Sequence, residues 1–348
     1  MNGKIINRTL FNTLLSSSVM MTSIFAESDY GSDQSTTSGS IREITPPAGF
    51  AAEQGIGFSV YADFIYWEAR ETNLTYAISS ARTASVTADT LVRGNGYFPS
   101  FNYKPGFKAG IAFDLGHDNW DLDINYTWLN GSGSKSSVTD TTPYTLITTQ
   151  GTEQGNISFS LNQADSNWFF QHNLINMNLG RDYFISQYLS LRPYFGLSGA
   201  WNRQKQTIHY HINNRLAPDT NIHNSQSFWG VGFCTGLQTG WAFDENWSIF
   251  GNFGMMNLWS KYNVNHKELN VVYESTSELY TNVQYGIQNV LDLELGLRWY
   301  KKFDDDTMGV LIQAGWEQQL WINHSQMIQG VSSNLSLQGL TTRFRLDF

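Results

Sequence analysis

Gly106–Trp128 reads GFKAGIAFDLGHDNWDLDINYTW, and this stretch decides the fold class. Phe107, Ala109, Ile111, Phe113 and Leu115 alternate with Lys108, Gly110, Ala112 and Asp114. A turn follows at Gly116-His117-Asp118-Asn119, and then Trp120, Leu122, Ile124, Tyr126 and Trp128 alternate with Asp121, Asp123, Asn125 and Thr127. A period of two is the signature of a β-strand with one apolar and one polar face. The apolar row of the second strand starts and ends in Trp, eight residues apart. At about 3.3 Å per residue that is roughly 26 Å, the height of the apolar band of an outer-membrane barrel between its aromatic girdles. The opposite row carries two Asp and an Asn, which suits a wet interior better than a dry core.

Working outward, eight further segments carry the alternation, giving ten strands in all. The first is Phe58 to Trp67, whose second face is impure because Ile65 and Trp67 join Ser59 and Asp63. The others lie at about 168–180, at 189–201 with a bulge expected at Pro193, at 229–241, at 247–259 (the least regular), at 291–299, at 310–316 and at 340–348. Short turns near His117, Asp182, Asp244 and Asp304 alternate with long links at about 68–105, 130–167, 202–227, 260–288 and 321–337. Such sorting is expected of an all-β, transmembrane, up-and-down antiparallel barrel with short periplasmic turns and long extracellular loops. Both termini fall on the short-turn side, so the strand number is even. Strand-like pieces in the links, such as Leu74 to Ile78 and Val271 to Tyr273, leave twelve or more strands open. An unpaired sheet edge is prohibitive in hydrocarbon, so the last strand must pair with the first.

Composition agrees. The 348 residues are only 15% charged and 15% aromatic, with 30 Gly and 7 Pro, and beyond the N-terminus no apolar run is long enough for a spanning helix. A large soluble β-sandwich is the rival reading. The net charge of −9 without a basic run argues against nucleic acid as a partner. Cys234 is the one cysteine, so no internal disulfide framework exists; it reads as a small barrel residue among glycines. Residues 1–26 read as a signal peptide, 27–55 as a flexible periplasmic segment rich in Ser, Thr and Gly, and 56–348 as the barrel.

GFSVYADFIYWEARETNLTYAI (57–78) resembles the opening signature of the Legionella- and Chlamydia-type major outer membrane protein-like porins. KPGFKAGIAFDLGHDNWDLDINYTWL (104–129) resembles the hairpin that follows in that family, and FWGVG (228–232), NWSIFGN (246–252) and LDLELGLRW (291–299) continue the likeness as more generic barrel strands. The resemblance implies a pore-forming protein of a Gram-negative outer membrane. Chlamydial members are rich in cysteine and this chain is not, so a disulfide-supported envelope role does not carry over. The ending Leu346-Asp347-Phe348 resembles the C-terminal signal read by the barrel assembly machinery; Phe348 is equally the last lipid-facing residue.

With the apolar rows on lipid, the polar rows line the lumen. They carry Asp63, Asp114, Asp121, Asp123, Asp292, Glu294, Glu317 and Asp347 against Lys108, Arg192, Arg298, Arg343 and Arg345. Pairing of the last strand with the first and ninth places Arg343 and Arg345 near Asp63 and Glu317. Two readings stay open: a transverse field along a pore, or salt bridges filling a narrow barrel. Trp120, Trp128, Trp229, Trp241, Trp299 and Trp316 are expected at the lipid interface. His209 and His211 could bind a metal from one strand face, with His223 in the same link, but no carboxylate pattern accompanies them; Asp304-Asp305-Asp306 lacks EF-hand spacing. His172, His266 and His324 are isolated in sequence, and no acid–base constellation can be assembled. The expected function is therefore a passive, weakly selective channel for ions and small polar solutes, with no catalysis, no cofactor and no metal. A closed barrel displaying adhesive loops is the alternative, and a barrel enzyme a remote one. The expected partners are the bilayer, the solutes and the assembly machinery, with a homo-oligomer left open.

Overall fold

The computed structural model describes residues 57–80, 94–116, 118–131, 134–139, 145–148, 160–212, 219–270, 275–303, 308–328 and 331–348. The expected signal peptide, the segment 27–55, Val271 to Tyr273 and Asp304–Asp306 lie outside them. Ten long strands run in order: β1 (Phe58–Glu71), β2 (Tyr103–Asp114), β3 (Trp120–Asn130), β4 (Ser160–Arg181), β5 (Leu189–Ile212), β6 (Thr220–Ala242), β7 (Trp247–Asn270), β8 (Ser275–Phe303), β9 (Met308–Ile328) and β10 (Val331–Asp347). Each pairs antiparallel with its neighbours in sequence. β10 returns to β1, with Asp63 opposite Arg343 and Glu71 opposite Leu335. The ring is closed, as an edge-free sheet in hydrocarbon must be. The strand-like piece near Leu74 is no missed spanning pair. Ala77–Ser80 is a short strand that pairs with Gly94–Tyr97 and Thr145–Thr148 above the ring.

The hairpin that set the reading folds in the expected phase, Phe107 opposite Trp128 and Ile111 opposite Ile124. Its turn takes positive φ at Gly116, Asp118 and Asn119, where Asp and Asn tolerate the left-handed region better than other side chains. Asp114 Oδ1 accepts from Gly116 N at 2.8 Å, so Asp114 caps the turn at the edge of the lumen.

Two expectations are corrected. The links 202–227, 260–288 and 321–337 are largely strand: β5 to β10 continue well past the apolar belt, and the external connections are correspondingly shorter. Periodicity missed them because outside lipid the outward row turns polar (Arg203, Lys205, Ser225, Ser227) while the inward row mixes buried Asn and Gln (Asn202, Gln204, Gln206, Asn224, Gln226) with apolar residues (Ile208, Tyr210, Ile222, Phe228), so the contrast between the rows is lost. Nor is there a bulge at Pro193. The β5–β6 register runs unbroken from Leu189 opposite Trp241 to Tyr210 opposite Thr220. On the other side the β4 ladder ends at Tyr194 opposite Gly180, one residue before Pro193, so the missing donor interrupts nothing.

The outer surface is a belt of apolar side chains open to their surroundings: Phe233 is 74% exposed and Leu295 64%. A belt this continuous has no place in water. Aromatic rings border it on both sides. On the turn side Phe58 stacks on Phe348 at 5.0 Å, and around the same end Trp241, Phe243 and Trp247 are exposed on β6, the following turn and β7. On the loop side the chain of rings includes Tyr66–Tyr103 (5.5 Å), Tyr103–Trp316 (6.3 Å), Phe107–Trp128 (5.6 Å), Tyr126–Trp201 (6.0 Å), Trp229–Trp259 (5.5 Å) and Trp259–Tyr285 (6.3 Å). Two such girdles are the interface anchors of a lipid-spanning barrel.

Candidate functional site: a charged chamber beneath an apolar seal

The interior divides into two layers. Toward the short turns lies a cavity of about 690 Å³, lined by the turn residues Asn119, Asp182, Gln187, Asp244 and Asn246 at its mouth and by Lys108, Glu317 and Gln319 at its depth. Of the lumen charges read from the sequence, all but Asp63 line this chamber. Asp63 sits behind Arg343, which holds it with two parallel bonds, Nε to Oδ1 and Nη2 to Oδ2, both 2.8 Å. The Arg343 guanidinium also lies 4.1 Å from the centre of the Tyr61 ring, and the Tyr61 hydroxyl donates to Asp123 Oδ2 at 2.7 Å.

The other charges are largely paired as well. Lys108 Nζ donates to both oxygens of Glu317, at 2.5 and 2.6 Å. Arg192 grips Asp121 through Nε at 2.7 Å and through a second, shorter contact. Arg345 pairs with its strand neighbour Asp347 at 2.8 Å. Glu317 is thus taken by Lys108, and Arg345 does not reach it. Asn252 donates to Glu294 at 2.7 Å, Gln313 donates to the other Glu294 oxygen at 3.2 Å, and Gln319 donates to Asp292 at 3.4 Å. Among the described residues Arg298 has only Gln313 as a side-chain acceptor, at 3.4 Å, and it spreads over the Phe250 ring at 5.1 Å. Glycines make room for these groups: a Cβ at Gly180 would fall inside the Arg192 guanidinium, and one at Gly110 inside the Tyr61 ring. Cys234 faces inward and donates to Asn178 Oδ1 at 3.0 Å.

Toward the loops the chamber stops at a dry layer. Ile65, Trp67, Leu129, Trp168, Phe170, Leu258, Trp321, Leu335 and Leu337 are all wholly buried and belong to one apolar cluster. These residues continue the inward phase of the chamber along their strands, as Trp67 follows Asp63 and Trp321 follows Glu317. Polar chains join the layers: Trp67 Nε1 donates to Thr341 Oγ1 at 3.1 Å and Thr341 donates to Glu317 at 2.9 Å, while Trp321 Nε1 donates to Gln319 at 3.4 Å and Gln319 donates to Glu317 at 3.3 Å. Lys108 Nζ lies 4.9 Å from the centre of the Trp67 ring. The chain leaving β1 folds back into the mouth above. Leu74 lodges in the seal, Tyr210 donates to the Tyr76 carbonyl at 2.6 Å, and a second cluster gathers Tyr76, Leu161, Ile208, Tyr210 and Ile222.

Within the seal, histidines that look isolated in sequence are joined. His172 Nδ1 meets Asn202 Oδ1 at 2.8 Å, Asn202 Nδ2 meets His324 Nε2 at 3.4 Å, and His324 Nδ1 meets Gln288 Oε1 at 3.1 Å. The relay works with both rings neutral. His324 lies beyond the loop-side girdle, and burial first, His172 second, lower its pKa to about 3. His266 bonds Asn224 at 2.6 Å. Glu71, also beyond the girdle and 1% exposed, is pushed up to about 8 by burial, with Ser325 and Gln204 pulling the other way. Neither its oxygens nor the Gln204 amide complete a regular hydrogen bond. His211 stands outside the barrel between Asp219 (3.0 Å) and Asp165 (3.6 Å), carboxylates that the fold, not the sequence, brings to it. Among the described residues no three ligand-type side chains are disposed to hold a metal.

Of the expected interface tryptophans, Trp229, Trp241 and Trp316 are exposed on the outer face, while Trp120, Trp128 and Trp299 are half-buried there between their neighbours. Phe348 closes the ring, exchanging backbone bonds with Phe58 at 2.9 and 3.2 Å. What sequence reasoning about the lumen missed is the seal. Its signal was present as the impurity of β1, where Ile65 and Trp67 occupy the polar phase, and as the irregularity of β7, where Phe250 and Leu258 do the same.

No curated protein matches the chain. Among solved structures it is similar to the outer membrane protease OmpT of Escherichia coli, at 11% identity over 84% of this chain and 96% of that one, with a TM-score of 0.44. A major outer membrane protein of Thermus thermophilus is similar at 10% identity, 84% and 100% coverage and a TM-score of 0.33. The toluene transporter TodX of Pseudomonas putida follows at 8%, 85% and 90%, and 0.25. The profile of a family described as the Legionella pneumophila major outer membrane protein precursor matches residues 52–348, the whole barrel. With its closed ring, its lipid-facing belt and its paired girdles, the chain is an outer-membrane β-barrel and belongs to the Legionella major outer membrane protein family.

Proposed function

We propose that the barrel is a weakly selective channel for ions and small polar solutes, shut at its external end in this conformation. The observation that carries the reading is the chamber: about 690 Å³, opening among the periplasmic turns and lined by charges of both signs. Among the described residues its seal is built from strand side chains together with Leu74 of the segment that folds back into the mouth, and apolar constrictions of that kind gate by excluding water. Conduction then requires Trp67, Trp168 and Trp321 to move. Four of the lumen acids and four of its bases are tied in pairs, leaving Asp114, Asp123, Asp292 and Glu294 against Arg298. The open pore should therefore favour cations slightly, and the pairs oppose a strong transverse field. Insertion by the barrel assembly machinery through β10 belongs to the same reading, and catalysis forms no part of it.

A closed barrel that displays loops is the second reading, favoured by the completeness of the seal. Currents across a planar bilayer separate the two. The channel reading expects rare, small steps from the natural protein, larger ones from Trp67→Ala/Trp321→Ala, and a weaker cation preference once Asp292→Asn and Glu294→Gln are added. Silence from both the natural protein and the Trp variant refutes the channel and leaves the closed barrel.

A further inference from the structure

Above the loop-side girdle, the outer face of β5, β6 and β7 forms a regular array of donors. The register sets Trp201 beside Trp229 and Trp229 beside Lys261; Arg203 beside Ser227 and Ser227 beside Asn263; Lys205 beside Ser225 and Ser225 beside Asn265. Directly opposed side chains in such a sheet stand about 5 Å apart, and successive rows about 7 Å. The long side chains of Arg203 and Lys205 therefore reach the space over Ser227 and Ser225, while Lys261, one row lower, holds its Nζ 5.7 Å from the centre of the Tyr285 ring at the far edge of the same face. No carboxylate shares these rows; the nearest outward acid on β4 is Asp165, further out and opposite His209. Among the described residues none of the three cations is ion-paired. In a chain of net charge −9 this is an unusual concentration of unneutralised cations.

We propose that this face binds the phosphate groups of an anionic lipid of the outer leaflet. The position argues for lipid rather than free phosphate. The donor rows begin on Trp201 and Trp229, which mark the acyl boundary, and the surface continues downward through the exposed Leu197, Val231 and Phe233. A headgroup held over Ser227 would lay its chains along that apolar surface. Arg203 offers a two-pronged fork to one phosphate, and the two lysines act as point charges on it or on a second. Cations beside a membrane surface attract anionic headgroups additively, so removing three should weaken retention about a hundredfold.

The test uses the full barrel purified in detergent, with native mass spectrometry reading the bound lipid. The probe is bis-phosphorylated lipid A, compared with its dephosphorylated form and with inorganic pyrophosphate. The expected result is that the natural protein retains the phosphorylated lipid and Arg203→Gln/Lys205→Gln/Lys261→Gln loses it about a hundredfold, while Arg181→Gln, at the opposite girdle, matches the natural protein. Heat-shifted gel migration checks that each variant is folded. Equal retention by the triple variant, equal binding of the dephosphorylated lipid, or displacement by pyrophosphate at the lipid's own concentration would overturn the proposal. The outcome is independent of whether the barrel conducts.

Discussion

Replacing Glu71 with Gln should stabilise the barrel in alkali and flatten its alkaline pH dependence. Glu71 projects from the loop end of β1 against Leu335 at the margin of the seal, and burial raises its pKa from 4.5 to about 8. The folded state therefore holds the proton more tightly than the unfolded chain does. The stability this gives is complete below about pH 4.5, declines as pH rises through the window, and is gone above about pH 8. A shift of that size corresponds to roughly 5 kcal/mol at about 1.36 kcal/mol per pKa unit, an upper figure because the seal can relax around the anion. The assay is reversible urea unfolding of the barrel in lipid vesicles between pH 5 and pH 10, on the natural protein and Glu71→Gln. The natural protein should lose midpoint across this range and the variant should not, with the gap growing up to about pH 8 and constant above it. Parallel curves would show that Glu71 is ionised in the folded barrel and that the layer around it is wet.

The buried pair of Asp63 and Arg343 supports a comparison in the same assay. Asp63→Asn leaves a guanidinium without its counter-charge and should cost about 3–5 kcal/mol, whereas Asp63→Leu/Arg343→Met, which removes both charges, should cost clearly less. Gly180→Ala forces Arg192 off its seat on Asp121 and should cost about 1–3 kcal/mol, while Gly286→Ala, where nothing lies within 4 Å, should be close to neutral. His324 acts at the acid end with the opposite sign to Glu71. Its pKa is depressed from 6.5 to about 3, so stability is complete above about pH 6.5 and falls as the pH drops toward 3; a His324→Gln variant should lose that limb when the same titration is extended down to pH 3.

How much of this was legible in the sequence depends on where along a strand one looks. Within lipid the solvent outside is hydrocarbon and the solvent inside is water, so Trp120 to Trp128 and Leu291 to Trp299 carry a clean period of two. The charged row of the chamber follows from the same phase. Pairing does not, because it depends on register: Asp63 and Arg343 are 280 residues apart, and Lys108 reaches Glu317 rather than an acid on its own hairpin. Above the girdle water replaces lipid outside: along β1 the alternation inverts, with Ile65, Trp67 and Ala69 inward and Arg70 outward, whereas along β5 and β6 both rows become largely polar and the contrast fades. Read with a single expectation of apolar outside, β5 to β10 end too early and Ile65, Trp67, Phe250 and Leu258 look like noise. Those residues were the visible edge of the seal, and an alternation that reverses sign along one strand is the signal that would have found it. The Glu71 and His324 environments had no such signal, since each is built by strands remote in sequence.

The central claim is that the interior is wet from the periplasmic turns up to Lys108 and dry above it. The most direct measurement places one cysteine in the chamber, Asn125→Cys in a Cys234→Ala background, in oriented vesicles. A membrane-impermeant thiol reagent is then added to one side at a time. The account predicts rapid labelling from the turn side and none from the loop side; labelling from the loop side at a comparable rate would contradict it.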